Sequence, residues 1–147
     1  TPVVELAKKS DIMLVVETGN NAMITSCFLG RKLIDDLNTK HLKVLWDPAN
    51  ALYCGENPSK NALDSMEGGY LGHVHMKDVE VAIHQAKIKC VALGEGQMSP
   101  HLQTIADRLN DIGYNGSMSL ESVYRPNEGD FEDGFNASIT KFKNLYS

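Results

Sequence analysis

Three carboxylates and one imidazole in this sequence each stand at the end of a short strand-like run. The runs cover residues 12–16, 43–46, 72–74 and 117–120, and the side chains that end them are Glu17, Asp47, His75 and Glu121. The first three follow one another at spacings of about 30 residues, the length of one βαβ step. Turn-forming or polar residues come after each run, and helical patterns fill most of the intervals. This order is typical of a (β/α) barrel, whose active site is built at the carboxyl ends of parallel strands.

The residue types at these positions predict a shared metal site. Residues two apart along a strand face the same way, so Met13 and Val15 share a face with Glu17, and Leu45 shares one with Asp47. A carboxylate at the end of a helix-covered parallel strand is costly to bury unless it is paired or binds a metal. Three carboxylates and one imidazole favour Mn²⁺, Mg²⁺, Co²⁺ or Zn²⁺ over soft metals.

The length of the chain allows only part of a barrel. It has 147 residues, whereas a whole (β/α)8 barrel needs roughly 250. The sequence opens on Thr1 rather than Met, and residues 1–9 look like a helix that feeds a strand. We therefore expect a single unit over residues 1–147 that is the second half of a longer barrel. The alternative is a complete, open flavodoxin-like parallel sheet, which also places ligands at the carboxyl ends of its strands.

Apolar periodicity and turn signals predict the elements between the strands. Helices are expected at 26–38, at 59–66 with Ser59 as N-cap, from Ser99-Pro100 onward, and at 131–146. Residues 47–50 are expected to break the second strand. Residues 77–97, of which 87–93 are extended in character, are expected to form an elaborated loop over the strand ends. The last helix is expected to turn four apolar side chains inward, Phe135, Ile139, Phe142 and Leu145.

Composition and charge disfavour several classes of partner. The net charge is −5, the pI is about 5.5 and no basic run is present, which removes the usual attraction for nucleic acid. The longest apolar run is about five residues, against the ~20 that a membrane helix requires. The three cysteines lack CxxC spacing, which argues against a disulfide framework or a structural zinc site and favours a reducing, cytoplasmic location.

Five motifs in order resemble the xylose-isomerase-like sugar isomerases, epimerases and dehydratases. They are Val-Val-Glu at 15–17, Trp-Asp-Pro-Ala-Asn at 46–50, His-Val-His-Met-Lys-Asp at 73–78, Gly-Glu-Gly at 94–96 and Gly-Tyr-Asn-Gly-Ser-Met-Ser-Leu-Glu at 113–121. The resemblance covers nearly the whole chain. It implies a TIM barrel of which strands five to eight are present, and a divalent metal held by the four strand-end residues.

The resemblance also implies roles for individual residues. Glu17 and Glu121 would act as acid and base on opposite faces of the carbon next to a carbonyl. Lys77 would reach substrate oxygens, and Asn50 stands where some members of the family place a substrate-binding histidine. His73 would lie below the metal layer and is a candidate substrate-binding residue, as are Asn50 and Lys77. The implied activity is a metal-dependent isomerase or epimerase of a sugar or sugar phosphate.

Departures from the family pattern keep other functions open. Ketose epimerases often carry an arginine six residues after the metal-binding histidine, where this chain has Val81. The His-Lys-Asp run at 75–78, with Met76 interposed, resembles the inosose dehydratases more closely, so a lyase is one alternative. An apurinic-site DNA endonuclease is disfavoured, because the additional histidines of that family and a basic surface are missing.

A final alternative is an inactive or purely binding half barrel. The expected partners are a small carbohydrate substrate and either a second copy of the chain or a missing N-terminal half barrel, without nucleic acid or membrane. An open four-stranded parallel sheet has two unpaired edges, which invite such association.

Overall fold

A computed structural model describes residues 1–146 and divides the chain into two compact units. The first unit is Thr1–Val74, and the second begins at His75. The boundary falls inside one strand, so that this strand contributes to both units.

The first unit alternates helices with parallel strands. Its elements are α1 (Pro2–Ser10), β1 (Leu14–Glu17), α2 (Cys27–Leu37), β2 (Leu42–Trp46), α3 (Pro48–Tyr53), a 3-10 turn (Leu63–Met66) and most of β3 (Leu71–Met76). β2 pairs in parallel with β1 on one side and with β3 on the other. The strand order of the sheet is β1-β2-β3-β6, with β3 common to both units.

The core of the first unit lies between α2 and β2. Alternate residues of β2 are buried, Leu42, Val44 and Trp46, as expected for one covered face of a strand. Gly30 allows α2 to approach closely, because a Cβ at that position would lie 2.6 Å from a methyl group of Val44.

The predicted helix at 26–38 is confirmed. The Ser26 side chain accepts a hydrogen bond from the Leu29 N–H, and Asn38 ends the helix in the left-handed conformation with φ 44°. Local capping chemistry therefore fixes both ends of α2.

The second unit combines an antiparallel hairpin with two helices and one strand. Its elements after β3 are β4 (Asp78–Ala82), β5 (Lys87–Val91), a 3-10 turn (Ser99–His101), α4 (Leu102–Asp111), β6 (Ser117–Leu120), a 3-10 turn (Pro126–Glu128) and α5 (Phe131–Tyr146). α4 buries the apolar stripe of Leu102, Ile105 and Leu109, as its sequence periodicity predicts. The strand before Glu121 and the final helix are also confirmed.

Three expectations about local structure are wrong, and one helix was not predicted. The helix expected at 59–66 is only the 3-10 turn at Leu63–Met66. The second strand ends before Asp47 as expected, but the residues that follow form α3, with Asp47 as N-cap and Pro48 at the first helical position. The loop expected over 77–97 contains the β4–β5 hairpin, in which Val79 pairs with Cys90. Phe135 on α5 is 41% exposed, while small residues of that helix are buried.

No helix within residues 1–146 combines the length and apolar character that crossing a bilayer requires.

Candidate metal centre

Two of the predicted metal ligands end neighbouring strands of the first unit. Glu17 is the last residue of β1 and pairs with Leu45 of β2 in the parallel register. Asp47 lies two residues beyond Leu45, so its side chain shares the face of Leu45. Glu17 is exposed and Asp47 is completely buried. Both carboxylates therefore belong to the carboxyl-terminal edge of this parallel pair.

A buried hydrogen-bond network surrounds Asp47. The Asp47 N–H donates to the Thr18 hydroxyl at 2.9 Å, and that hydroxyl donates to the Asp47 carbonyl at 3.3 Å. The Asn50 N–H donates to Asp47 Oδ1 at 3.0 Å, and the Asn50 side-chain amide donates to the Thr18 carbonyl at 3.2 Å. Thr18 and Asn50 thus fix both the backbone and one carboxylate oxygen of Asp47.

The other two predicted ligands lie in the second unit, together with Lys77. The Glu121 N–H donates to the Met76 carbonyl at 2.9 Å, which places Glu121 beside the end of β3. His75 Nδ1 lies 3.7 Å from Glu121 Oε1, beyond hydrogen-bond distance. Lys77 Nζ lies 2.5 Å from Glu121 Oε2 and is largely buried. The two oxygens of Glu121 therefore face different groups, an imidazole and an ammonium.

His73 lies two residues before His75 on β3 and pairs with Leu45 of β2. It is half-buried. Its place below the metal layer, which the resemblance implies, stays a prediction. Its role toward a substrate stays a prediction, as do those of Asn50 and Lys77.

Four side chains of metal-binding type stand among the described residues, Glu17 and Asp47 in the first unit and His75 and Glu121 in the second. Each member offers one ligand atom, a carboxylate oxygen or an imidazole nitrogen. Three oxygen donors with one nitrogen donor suit hard or borderline divalent cations, and the absence of thiolate from the group disfavours soft ones. The residues present therefore fit the kind of cation that the sequence predicts.

Asp78 is a structural carboxylate that sequence reasoning missed. It is completely buried and accepts four backbone hydrogen bonds, from Val79 and Met98 to Oδ1 at 2.8 Å each, and from Gly94 and Gly96 to Oδ2 at 2.9 and 3.0 Å. The Gly-Glu-Gly motif at 94–96 supplies two of these donors. The signal was present in the sequence as an Asp and a glycine-rich loop about 16 residues apart, but only the hairpin brings them together.

Solved structures with the same fold include enzymes that act on carbohydrates. A xylose isomerase domain protein from Planctomyces limnophilus is 23% identical with a TM-score of 0.75, over 98% of this chain and 48% of that one. The 3-keto-D-glucoside 4-epimerase of E. coli is 19% identical with a TM-score of 0.74, over 97% and 49%. A "probable 3-DHS dehydratase" from Bacillus anthracis is 19% identical with a TM-score of 0.73, over 97% and 53%.

These similarities establish the fold, and the chain spans about half the length of each of these proteins. A search of curated proteins finds no match.

A family model decides between the two folds that the sequence left open. The model described as "Xylose isomerase-like TIM barrel" matches residues 1–143, which is nearly the whole chain. The parallel strands and covering helices of the first unit are consistent with this assignment. The chain therefore belongs to the xylose isomerase-like TIM barrel family and has about half the length of a typical barrel.

Proposed function

We propose that this chain is part of a divalent-metal-dependent isomerase or epimerase that abstracts a proton next to the carbonyl of a sugar or sugar phosphate. The observation that carries the proposal is the recurrence of a carboxylate or imidazole side chain at the carboxyl end of four strands, β1, β2, β3 and β6. Active sites of barrels are built at that end of the strands. The family match and the sugar epimerase among the similar structures support the proposal.

The proposed metal ligands are Glu17, Asp47, His75 and Glu121, and Mn²⁺, Mg²⁺, Co²⁺ and Zn²⁺ are the candidate ions. When bound, such an ion supplies Lewis-acid polarisation of substrate carbonyl and hydroxyl oxygens. Asp47 Oδ1 already accepts the Asn50 N–H, so the proposal assigns the other carboxylate oxygen of Asp47 to the metal.

Glu17 and Glu121 are the proposed acid and base. Each carboxylate would take or return the proton of the carbon next to the carbonyl, from opposite faces of the substrate. Lys77 holds Glu121 Oε2 at 2.5 Å, which limits the orientations that Glu121 can adopt. A substrate oxygen that binds Lys77 would therefore share the ammonium group with Glu121. Asn50 and His73 are proposed as further substrate contacts.

Turnover is proposed to require four more strands than this chain supplies, because the similar proteins are about twice as long. A second copy or a separate N-terminal half barrel would provide them. A chain without that complement would bind metal and remain inactive. No disulfide joins the three cysteines within the described residues, which supports the proposal of a reducing, cytoplasmic compartment.

A metal-dependent dehydratase is the second candidate. The similar dehydratase fold from Bacillus anthracis favours it, as does Val81 at the position where ketose epimerases often carry arginine. Val81 pairs with Ile88 in the hairpin, so this chain has an apolar side chain where those epimerases often carry arginine. Both reactions start with abstraction of the same kind of proton, and they differ in whether a hydroxyl group then leaves.

Metal titration of the purified chain tests the proposal. We expect one Mn²⁺ per chain by isothermal titration calorimetry, and loss of that binding in a Glu17→Gln, Glu121→Gln double variant. Glu80→Gln, which changes an exposed carboxylate of β4 paired with Lys89, is the control. A wild-type chain that binds none of the four candidate ions would refute the metal site.

Solvent exchange tests the chemistry. In D₂O, the metal-loaded chain together with its complementary half should place deuterium on the carbon next to the carbonyl of a ketose. Appearance of an epimer favours the first candidate, and loss of water favours the second. Exchange that is equally fast in the double variant would contradict the roles of Glu17 and Glu121.

A further inference from the structure

Thr18 occupies the point where strands β1 and β2 end. The last strand pair is Glu17 with Leu45, and the Thr18 N–H continues the ladder by donating to the Leu45 carbonyl at 3.0 Å. One step further, the Thr18 hydroxyl accepts from the Asp47 N–H and donates to the Asp47 carbonyl. Beyond the last backbone hydrogen bond between the two strands, the Thr18 side chain therefore binds the backbone of Asp47, the residue that immediately follows β2.

The network around Thr18 is closed and buried. Thr18 and Asp47 are both 0% exposed and Asn50 is 9% exposed. The Thr18 carbonyl accepts a hydrogen bond from the Asn50 side-chain amide, and the Asn50 N–H in turn donates to Asp47 Oδ1. Buried polar networks of this kind fix one arrangement, because each broken bond leaves a desolvated group.

We propose that Thr18 is a positioning residue that sets the orientation of the Asp47 carboxylate for metal binding. The inference rests on the proposed function, which makes Asp47 a metal ligand. The role of Thr18 is positioning because its hydroxyl both accepts from and donates to the Asp47 backbone. Residues that orient metal ligands typically change metal affinity by about 10- to 100-fold when they are replaced.

The test compares Mn²⁺ affinities of purified variant chains by isothermal titration calorimetry. Thr18→Val removes the hydroxyl at nearly constant volume, and we expect Mn²⁺ binding at least about 10-fold weaker. Thr18→Ser restores a hydroxyl and should bind within about threefold of wild type. Thr39→Val is the matched control, because the Thr39 hydroxyl accepts the His41 N–H at the opposite end of β2, and it should leave the affinity unchanged.

Each outcome decides a separate question. A folded Thr18→Val chain with wild-type Mn²⁺ affinity would overturn the inference while leaving the metal site intact. A wild-type chain that binds no Mn²⁺ would remove the proposed function and the inference together. If circular dichroism shows that Thr18→Val is unfolded, Thr18→Cys replaces it, since a thiol forms only weak hydrogen bonds, and the same loss of affinity is expected.

Discussion

Asp78 shows how a single side chain can organise a loop. A buried carboxylate is tolerated only when hydrogen bonds replace the water it loses, and here four backbone N–H groups do so. Gly96 must lack a side chain, because a Cβ would lie 2.4 Å from Asp78 Oδ1. The carboxylate thus connects the first residue of β4 with the segment that follows β5.

Replacing Asp78 should be severely destabilising. Asp78→Ala leaves buried N–H groups without an acceptor, and we expect the free energy of unfolding in urea to fall by about 3 kcal/mol or more. Glu80→Ala, two residues along the same strand, removes only an exposed ion pair with Lys89 and should cost less than about 1 kcal/mol. Equal losses in the two variants would contradict this account.

For single residues, the sequence predicts the positions of the side chains that could bind a metal. It does not predict the buried residues whose hydrogen bonds organise the surrounding backbone. Glu17, Asp47 and Glu121 occupy strand ends because a change from apolar run to polar loop is a local signal. Thr18 and Asp78 were missed, since their partners lie 29 and up to 20 residues away. Such contacts depend on strand register, which no single segment encodes.

Helix α2 begins against a carboxylate from a later segment. Glu56 accepts the Cys27 N–H at 3.1 Å, and burial raises the pKa of its carboxyl group while the Cys27 and Phe28 N–H groups oppose that rise. A carboxylate at a helix N-terminus is normally favourable. Here the cost of removing Glu56 from water is the larger effect.

This raised pKa makes the contribution of Glu56 depend on pH. Because the folded-state pKa lies above the unfolded one, the stability that Glu56 contributes is fully present below its ordinary pKa and declines as the pH rises through the folded value. The advantage of wild type over Glu56→Gln in urea denaturation should therefore be smaller at about pH 7 than at about pH 4.5. Glu67→Gln, at an exposed carboxylate, is the control. An advantage that grows with pH would contradict the prediction.

The helices predicted correctly are those with long apolar periods, α2, α4 and α5, of which α2 also has a side-chain N-cap. Helix α3 was not predicted, because Asp-Pro is common in turns and is also a typical N-cap followed by the first helical residue. The inward assignment of Phe135 was wrong because Gly134 and Ser138 occupy the buried side of α5. Small residues are weak periodicity signals, yet they permit the closest packing.

The first unit leaves apolar groups exposed along one edge of its sheet. Ile12, Met13 and Val15 are 54%, 47% and 44% exposed. Since the N–H groups of Leu14 and Thr18 donate toward β2, the pleat directs the Val15 N–H to the opposite edge. The chain also has about half the length of its structural relatives. Both observations favour association with further strands.

We therefore expect the isolated chain to self-associate. Analytical ultracentrifugation should give a mass above 16.2 kDa that rises with concentration. Val15→Lys places a charge at the β1 edge and should weaken association by about tenfold or more. Ile83→Lys, at the exposed tip between β4 and β5, should have little effect. A mass of one chain at every concentration would rule out pairing between copies.

The four backbone hydrogen bonds that Asp78 accepts also define a place where residues can be inserted into the chain. Residues 79–93 form a segment whose two ends lie beside the Asp78 carboxylate. Within this segment, Ile83–Gln85 form an exposed 3-10 turn that ends at Ala86 with φ 49°. A peptide inserted at this turn would be separated from the base of the hairpin by the length of β4 and β5. The turn is therefore a natural site for an epitope or fluorophore that reports on the protein without disturbing His75.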